Sequence, residues 1–319
     1  MATFGASGLP AVDPGTVPAA RPLMQPSPSK RRSLSRIAAA VALMSTVAAC
    51  GTVLLNDRGS LTRYDRLQAS TAVASASRLY VDRPALAKAR TVRIIPTAFH
   101  ADVAGAAPLT QAERRLIANA ADRALCYDLS LRYDVVTGRD ADLTVRAQVT
   151  RVEPTDLLGA GATIAGSAGV TVASQDGLSA VEGIGRIPIP RIPIGLGSLT
   201  VEAEALDRRR EQRAAMVWGG AANSFTSQPR FSRASDAYDL AGEFGQDFGF
   251  MLATGDDPFN APNTLPTWDR IRVTTLGEAP LDPDCEAYGR APGIDGILGD
   301  YIGLPPEYTD KGPTAPATR

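Results

Sequence analysis

The sequence predicts an α+β protein, built as a two-layer α/β sandwich in which two helices pack on one face of a predominantly antiparallel sheet of about five strands. Two observations support this prediction. The stretch 143–152 (LTVRAQVTRV) alternates apolar and polar residues with the period of two that is typical of a strand with one buried face. The stretches 111–130 and 235–252 instead place apolar residues at helical spacing, so both need a sheet to cover them.

Residues 1–49 are predicted to lie outside the folded body. Basic residues at positions 30–32 and 36 precede an apolar run, 37–47, which ends in two alanines. This pattern is typical of a secretory signal peptide, and the run is too short to span a bilayer, which takes about 20 apolar residues. Because Met24 would begin a signal peptide of ordinary length, it is the expected true start of the protein.

Cys50 directly follows the signal peptide. Residues 47–50 (VAAC) resemble the lipobox of bacterial lipoproteins, in which the cysteine becomes the mature N-terminus and carries fatty acyl chains such as palmitate. The other interpretation is an ordinary cleaved signal with an incidental cysteine after it. Gly51, rather than an aspartate, follows Cys50 and favours the outer membrane under the enterobacterial sorting rule. Since that rule does not hold in all bacteria, inner-membrane anchoring stays an alternative.

The segment 50–90 is predicted to begin as a tether, with a low-complexity stretch in its middle. Its residues able to dock on the body are Leu55, Leu61, Tyr64 and Leu67. The sequence YDRL at 64–67 is either a recognition motif or part of a segment that packs on the sheet.

The folded α/β domain is predicted over residues 91–253. A strand at 91–99 precedes a helix that begins at a capping box, Thr110 to Glu113, and ends near residue 130. Further strands are predicted at 133–137, 143–152, 199–206 and 214–222, the last two joined as an antiparallel hairpin. The alternation along 199–206 predicts that Glu202 and Glu204 face solvent.

An insertion interrupts this domain at residues 156–197. It is rich in Gly and Ala and contains repeated Ile-Pro pairs at 186–194. About forty residues without periodicity are long for an ordinary loop. Either the part 159–197 contacts the membrane or neighbouring subunits, or it is a loop folded over the sheet that buries its isoleucines.

Residues 254–319 form a Pro/Gly-rich C-terminal extension, with one short strand pattern at 271–275 and predicted disorder over 305–319. Beyond Cys50 the chain has two cysteines, Cys126 and Cys285. In an exported protein two spare cysteines favour one disulfide, which would join this extension to the first helix. Two buried free thiols are the alternative.

Composition argues against several classes of function. A formal net charge of −1 gives no electrostatic basis for nucleic-acid binding. His100 is the single histidine, so we expect no metal site of the usual type, and no cofactor. Neither G-x-S-x-G nor H-E-x-x-H occurs, and His100 lies beside no nucleophile motif. The sequence therefore predicts no catalytic residue and no enzyme.

A family resemblance rests on the lipobox, the segment SLTRYDRL at 60–67, a strand–helix pair, a small-residue stretch and the strand sequence VEAEALD at 201–207. Together these features resemble a family of bacterial lipoproteins known as domain of unknown function 3313, over about residues 50–253. The resemblance implies an envelope location and an α/β fold, and it brings no catalytic residue. The Ile-Pro repeat and the C-terminal extension depart from the family.

These features predict a lipoprotein anchored on the periplasmic side of the outer membrane, which acts as a non-enzymatic binding or structural module. Its expected partners are the membrane, through the lipid anchor, and an envelope protein or further copies of the same chain. The alternative is a subunit of an envelope transport or secretion assembly that uses residues 159–197 for membrane or subunit contact.

Overall fold

The fold is that of a computed structural model, which describes residues 53, 55–71, 75–106, 109–161, 163, 195–223, 227–262 and 265–313. The predicted signal peptide, Met24, Cys50, Gly51 and most of the 159–197 segment lie outside these ranges, and so do the predictions made for them. Within the ranges, no helix combines the length and apolarity that crossing a membrane requires.

Seven strands in the described part of the chain form one mixed sheet. In chain order they are β1 (Gln68–Thr71), β2 (Ser75–Val81), β3 (Thr91–Phe99), β4 (Asp134–Val135), β5 (Leu143–Glu153), β6 (Ser198–Asp207) and β7 (Gln212–Ala221). Their order across the sheet is β1-β2-β7-β6-β5-β3-β4. β3 runs parallel to β4 and to β5, and the other neighbouring strands are antiparallel.

The prediction of a predominantly antiparallel sheet of about five strands with two helices is therefore wrong. β1 and β2 escape sequence patterning because β1 reads Gln-Ala-Ser-Thr and β2 begins Ser-Ala-Ser, and these small and polar residues give no long alternation of apolar and polar positions. β3 and β5 are parallel because the chain between them crosses back over the sheet through a long helix, as parallel neighbours require. Further short helices follow the second long helix.

Two long helices, α3 (Gln111–Ser130) and α4 (Ser235–Thr254), cover one face of the sheet. Short helices α1 (Arg83–Lys88) and α2 (Ala101–Ala106) precede them. α3 begins at the predicted capping box: the Thr110 hydroxyl accepts the N–H of Glu113, and the Glu113 carboxylate accepts the N–H of Thr110. α4 ends at Gly255, whose φ of +79° is the left-handed conformation that glycine adopts at helix ends.

The two long helices pack closely because glycines remove side chains from their interface. A Cβ atom on Gly245 would lie 2.5 Å from the carbonyl oxygen of Ala121, and one on Gly249 would lie 2.7 Å from the Cβ of Asp128. Below the helices, Trp218 of β7 and Phe244 and Phe248 of α4 are fully buried. The rings of Trp218 and Phe244 pack edge to face, and those of Phe244 and Phe248 are stacked. The ring centroids are 6.0 Å apart in both pairs.

This interface predicts opposite effects for two glycines on one helix. Gly245→Ala should lower the free energy of unfolding by about 2 kcal/mol, since the added methyl group collides with the α3 backbone. Gly242→Ala should raise it by about 0.5–1 kcal/mol, because nothing lies within 4 Å of a Cβ there and alanine favours the helix. Urea denaturation of both variants tests the packing, and a stabilised Gly245→Ala protein would contradict it.

A buried carboxylate joins α3 to a bulge in β3. The β3–β5 register shifts between Ile95 and Ala98, around Pro96, which has no N–H to donate. The bulge frees the N–H of Thr97, which donates to both carboxylate oxygens of Asp122 (3.0 and 3.1 Å), and the Thr97 hydroxyl donates as well (2.6 Å). Asp122 is 3% exposed, and burial raises its pKa to about 7.

The C-terminal extension folds back onto the outer side of α3 and α4. Its helices are α5 (Trp268–Arg270), continued by a π-helix (Ile271–Thr275), a 3-10 helix (Pro283–Tyr288), α6 (Gly293–Ile302) and α7 (Pro306–Thr309). The strand predicted at 271–275 is therefore wrong, as is disorder over 306–309. A disulfide between Cys126 and Cys285, with Cα atoms 5.8 Å apart, joins the extension to α3 as predicted.

Candidate functional site

The face of the sheet opposite the helices is crossed by residues 55–67, here called the strap. Leu61 is buried against Ala215 and Val217 of β7, and the other predicted docking residues of the strap pack around this cluster: Leu55, Tyr64 and Leu67. The prediction that these four side chains dock on the body is confirmed. Both faces of the sheet are therefore covered, one by the long helices and the other by the strap.

Two glutamates of β6 hold the strap in place. The Glu202 carboxylate, 1% exposed, accepts the backbone N–H of Arg58 (2.7 Å), the backbone N–H of Ser60 (2.9 Å) and the hydroxyl of Tyr64 (2.6 Å). Burial and the bond to Glu202 raise the pKa of Tyr64 to about 12, so its hydroxyl stays protonated and able to donate. Three donors from the seven residues 58–64 converge on one carboxylate.

Glu204 makes the second set of contacts and is fully buried. Its carboxylate accepts the backbone N–H and the hydroxyl of Thr62, both at 2.8 Å, and the side-chain amide of Gln212 at 2.8 Å. Arg146 of β5 completes the set with an ion pair to the same carboxylate. Glu202 and Glu204 are together called the clasp, since between them they accept backbone N–H groups from three alternate strap residues.

The prediction that Glu202 and Glu204 face solvent is wrong. Their period-two alternation does place them on the face away from the helices, but the strap covers that face. The sequence carried a signal for this contact, because SLTRYDRL and VEAEALD are two of the features on which the family resemblance rests. Only the fold shows that the two stretches bind each other.

The strap brings the folded body close to Cys50. A Cβ atom on Gly219 of β7 would lie 2.8 Å from Val53 and 2.7 Å from Leu55, so glycine is needed there for the chain to approach the sheet. Val53 is three residues from Cys50. Since the chain advances by at most about 3.6 Å per residue, the Cys50 Cα atom lies within about 11 Å of the Val53 Cα atom.

A cavity of about 270 Å³ lies between the long helices and the C-terminal extension. Its wall holds paired charges: Arg230 contacts Asp239 and Asp300, and Arg123 contacts Asp310 beyond the wall. Burial raises the pKa of Asp239 to about 6, against the opposing effect of Arg230. These charges are paired with one another. The cavity can therefore form hydrogen bonds to a small polar ligand without imposing a strong electrostatic field on it.

The site residues predicted from the sequence are distributed as follows. Cys50 lies outside the described ranges. Cys126 and Cys285 form the disulfide, and Cys285 also lines the cavity. His100 contacts Asp102 and is absent from the described cavity lining. In the part of the chain that the structure describes, no group of three or more His, Cys, Asp or Glu residues could hold a metal ion.

Comparisons with known proteins identify the family. The model of a protein of unknown function, DUF3313, matches residues 56–248, a range that contains the strap from Asn56 onward and the clasp. No curated protein matches the chain. Among solved structures, a PelC dodecamer from Paraburkholderia phytofirmans shares 12% identity over 59% of this chain and 99% of its own, with a TM-score of 0.31. A point variant of that dodecamer shares 12% sequence identity over 57% of this chain and 99% of its own, with a TM-score of 0.32. A likeness at this level says nothing about assembly.

Proposed function

Because the chain belongs to the DUF3313 family of proteins of unknown function, we propose its function from the site itself. It is a lipoprotein anchored through Cys50 on the periplasmic side of the outer membrane, and it acts as a non-enzymatic binding or structural module held close to the bilayer. The observation that carries the proposal is the clasp, since it fixes the strap only a few residues beyond the lipidated cysteine.

The clasp changes the reach of the anchor. A flexible tether over 50–90 would have a root-mean-square length of roughly 35 Å and would let the body move freely above the membrane. With the strap fixed on the sheet, only two residues separate Cys50 from Val53, which packs against Gly219 of the sheet. The anchor is therefore within about 11 Å of a residue that contacts the sheet. Such a protein presents its surface to partners at the membrane.

The proposal of a non-enzymatic role draws support from how the carboxylates are used. Glu202 and Glu204 are two of the carboxylates that could have acted in acid–base chemistry, and both are buried under the strap with their oxygens occupied. A general acid or base must reach the substrate's proton, which these two cannot do while the strap is bound.

Metabolic labelling with radioactive palmitate tests the anchor. We expect the wild-type protein to take up label, to have Cys50 as its mature N-terminus by mass spectrometry, and to sediment with outer membranes. Cys50→Ser should lose the label entirely, because it lacks the thiol to which the lipid is attached. Ser45→Ala, within the same apolar run, is the matched control and should keep it. A wild-type protein with an unmodified Cys50 would overturn the proposal.

A second candidate is the assembly subunit, which one observation favours. The inserted segment leaves the described body after Thr163 and re-enters at Gly195, and Gly195 lies beside Asp156 at the end of the sheet where β5 ends. That is also the end nearest to Val53. Light scattering separates the candidates: a large, defined oligomer of the lipidated protein, absent in the Cys50→Ser form, would favour the assembly, and monomers in both would favour the tethered module.

A further inference from the structure

Five exposed apolar side chains occur on three segments outside the two cores. They are here called the end patch: Leu158 (83% exposed), Ile302 (68%), Leu298 (59%), Phe231 (51%) and Leu157 (37%). Exposed apolar residues are ordinary when scattered singly, and a contiguous group of them marks an interaction surface.

The three segments that carry the end patch contact one another. A Cβ atom on Gly161, just after Leu157 and Leu158, would lie 3.1 Å from the ring of Phe231. The N–H of Phe231 in turn donates to the carbonyl of Gly303, the residue after Ile302 (3.1 Å). The segments that carry the five side chains therefore lie side by side.

The end patch lies at the anchor end of the molecule, defined as the end of the sheet where β5 ends, β6 begins and β7 ends. The pairs Glu153 with Ser198 and Ser198 with Ala221 mark this end. The N–H of Thr155, two residues beyond β5, donates to the carbonyl of Arg233, next to the Phe231 segment (3.0 Å). On the other side of the sheet, Val53 contacts Gly219, two residues before Ala221.

We propose that the end patch inserts into the interfacial layer of the bilayer that holds the lipid on Cys50, an inference that rests on the proposed function. The short distance from Cys50 to Val53 places the anchor end, rather than the opposite end, at the membrane. Apolar side chains at such a surface enter the boundary between headgroups and acyl chains. Both charge signs flank the patch, so zwitterionic phospholipid is the matching surface: Asp156 precedes Leu157, Glu307 accepts the hydroxyl of Ser232, and Arg233 follows Ser232.

Depth-dependent quenching of tryptophan by brominated lipid tests the insertion. The lipidated protein is reconstituted, one copy per nanodisc, in zwitterionic phosphatidylcholine with or without bromine on its acyl chains. Trp268→Phe removes the exposed native tryptophan, and Trp218 stays as a fully buried background. In that protein, Leu158→Trp places the probe in the end patch. Leu131→Trp is the matched control, at the end of α3, beside β4 and far from the anchor end.

We expect bromine to remove roughly half or more of the added fluorescence of Leu158→Trp and to leave that of Leu131→Trp unchanged. Both positions are more than half exposed, so neither substitution should disturb folding. Equal quenching at both positions, or none at Leu158→Trp in discs that contain the protein, overturns the proposal. Because each disc holds one copy of the protein, a second copy cannot be what covers the end patch. A protein that carries no palmitate and does not elute with the discs would instead show that the anchor itself fails.

Discussion

Replacing Glu204 with alanine is expected to lower the free energy of unfolding by about 3–5 kcal/mol, the largest effect of any single substitution considered for this protein. The side chain is fully buried and accepts hydrogen bonds from Thr62 and Gln212 while pairing with Arg146. Its removal leaves the buried amide of Gln212 without an acceptor, which costs about 1–3 kcal/mol. It also removes the acceptor of the more exposed Thr62 and Arg146 groups, each at a smaller cost. Urea denaturation measures the loss, and hydrogen exchange over 55–67 should show the strap released.

Glu153→Ala is the matched control on the neighbouring strand. Its side chain is 51% exposed and pairs with Arg151, also at the surface, so its loss should cost no more than about 1 kcal/mol. If Glu204→Ala destabilised the protein no more than this control, or if the strap exchanged as slowly as in the wild type, the clasp would not be what holds the strap.

The stability of the protein should fall as the pH rises from about 4 to about 7, and Asp122 should account for up to about 4 kcal/mol of that fall. Its folded pKa is raised by burial from 3.8 to about 7, so the folded state favours the protonated carboxyl. Below about pH 4 the group is protonated in both states and its contribution is fully present. Above that pH, Asp122 ionises in the unfolded chain but not in the folded one, so its contribution to stability falls progressively. The fall stops near pH 7, where Asp122 ionises in the folded protein as well.

Asp122→Asn isolates this effect, because the amide oxygen can still accept from Thr97 but does not ionise. We expect the variant to match the wild type near pH 4 and to be the more stable protein near pH 8. Asp140→Asn, at an exposed turn, is the control and should leave the curve unchanged. If the free energy of unfolding changed with pH in the same way for Asp122→Asn and the wild type, Asp122 would not titrate as described.

The clasp fixes the position of the strap on the sheet. Backbone N–H groups of the strap, rather than long side chains, supply most of the contacts to Glu202, so the strap's position follows from its main chain. In the proposed lipoprotein, the same contacts that cover the sheet also bring the anchor end to the membrane.

Local patterns in the sequence determined the elements whose cause is local. The capping box at Thr110, the alternation along 143–152 and the docking residues of the strap all agree with the structure, because each depends on neighbouring residues or on burial of an apolar side chain. The pairing of Cys126 with Cys285 also agrees, since only two spare cysteines were available for it.

Tertiary contacts decided the rest. β1 and β2 lack an apolar pattern, and they are strands because β7 offers them an edge to pair with. The burial of Glu202 and Glu204 depends on a strap about 140 residues away in the chain, so alternation could give their face of the sheet but not what covers it. The end patch likewise joins three distant segments, and no local pattern encodes that contact. Periodicity reports which side of an element a residue lies on, and only the packed chain determines what lies against that side.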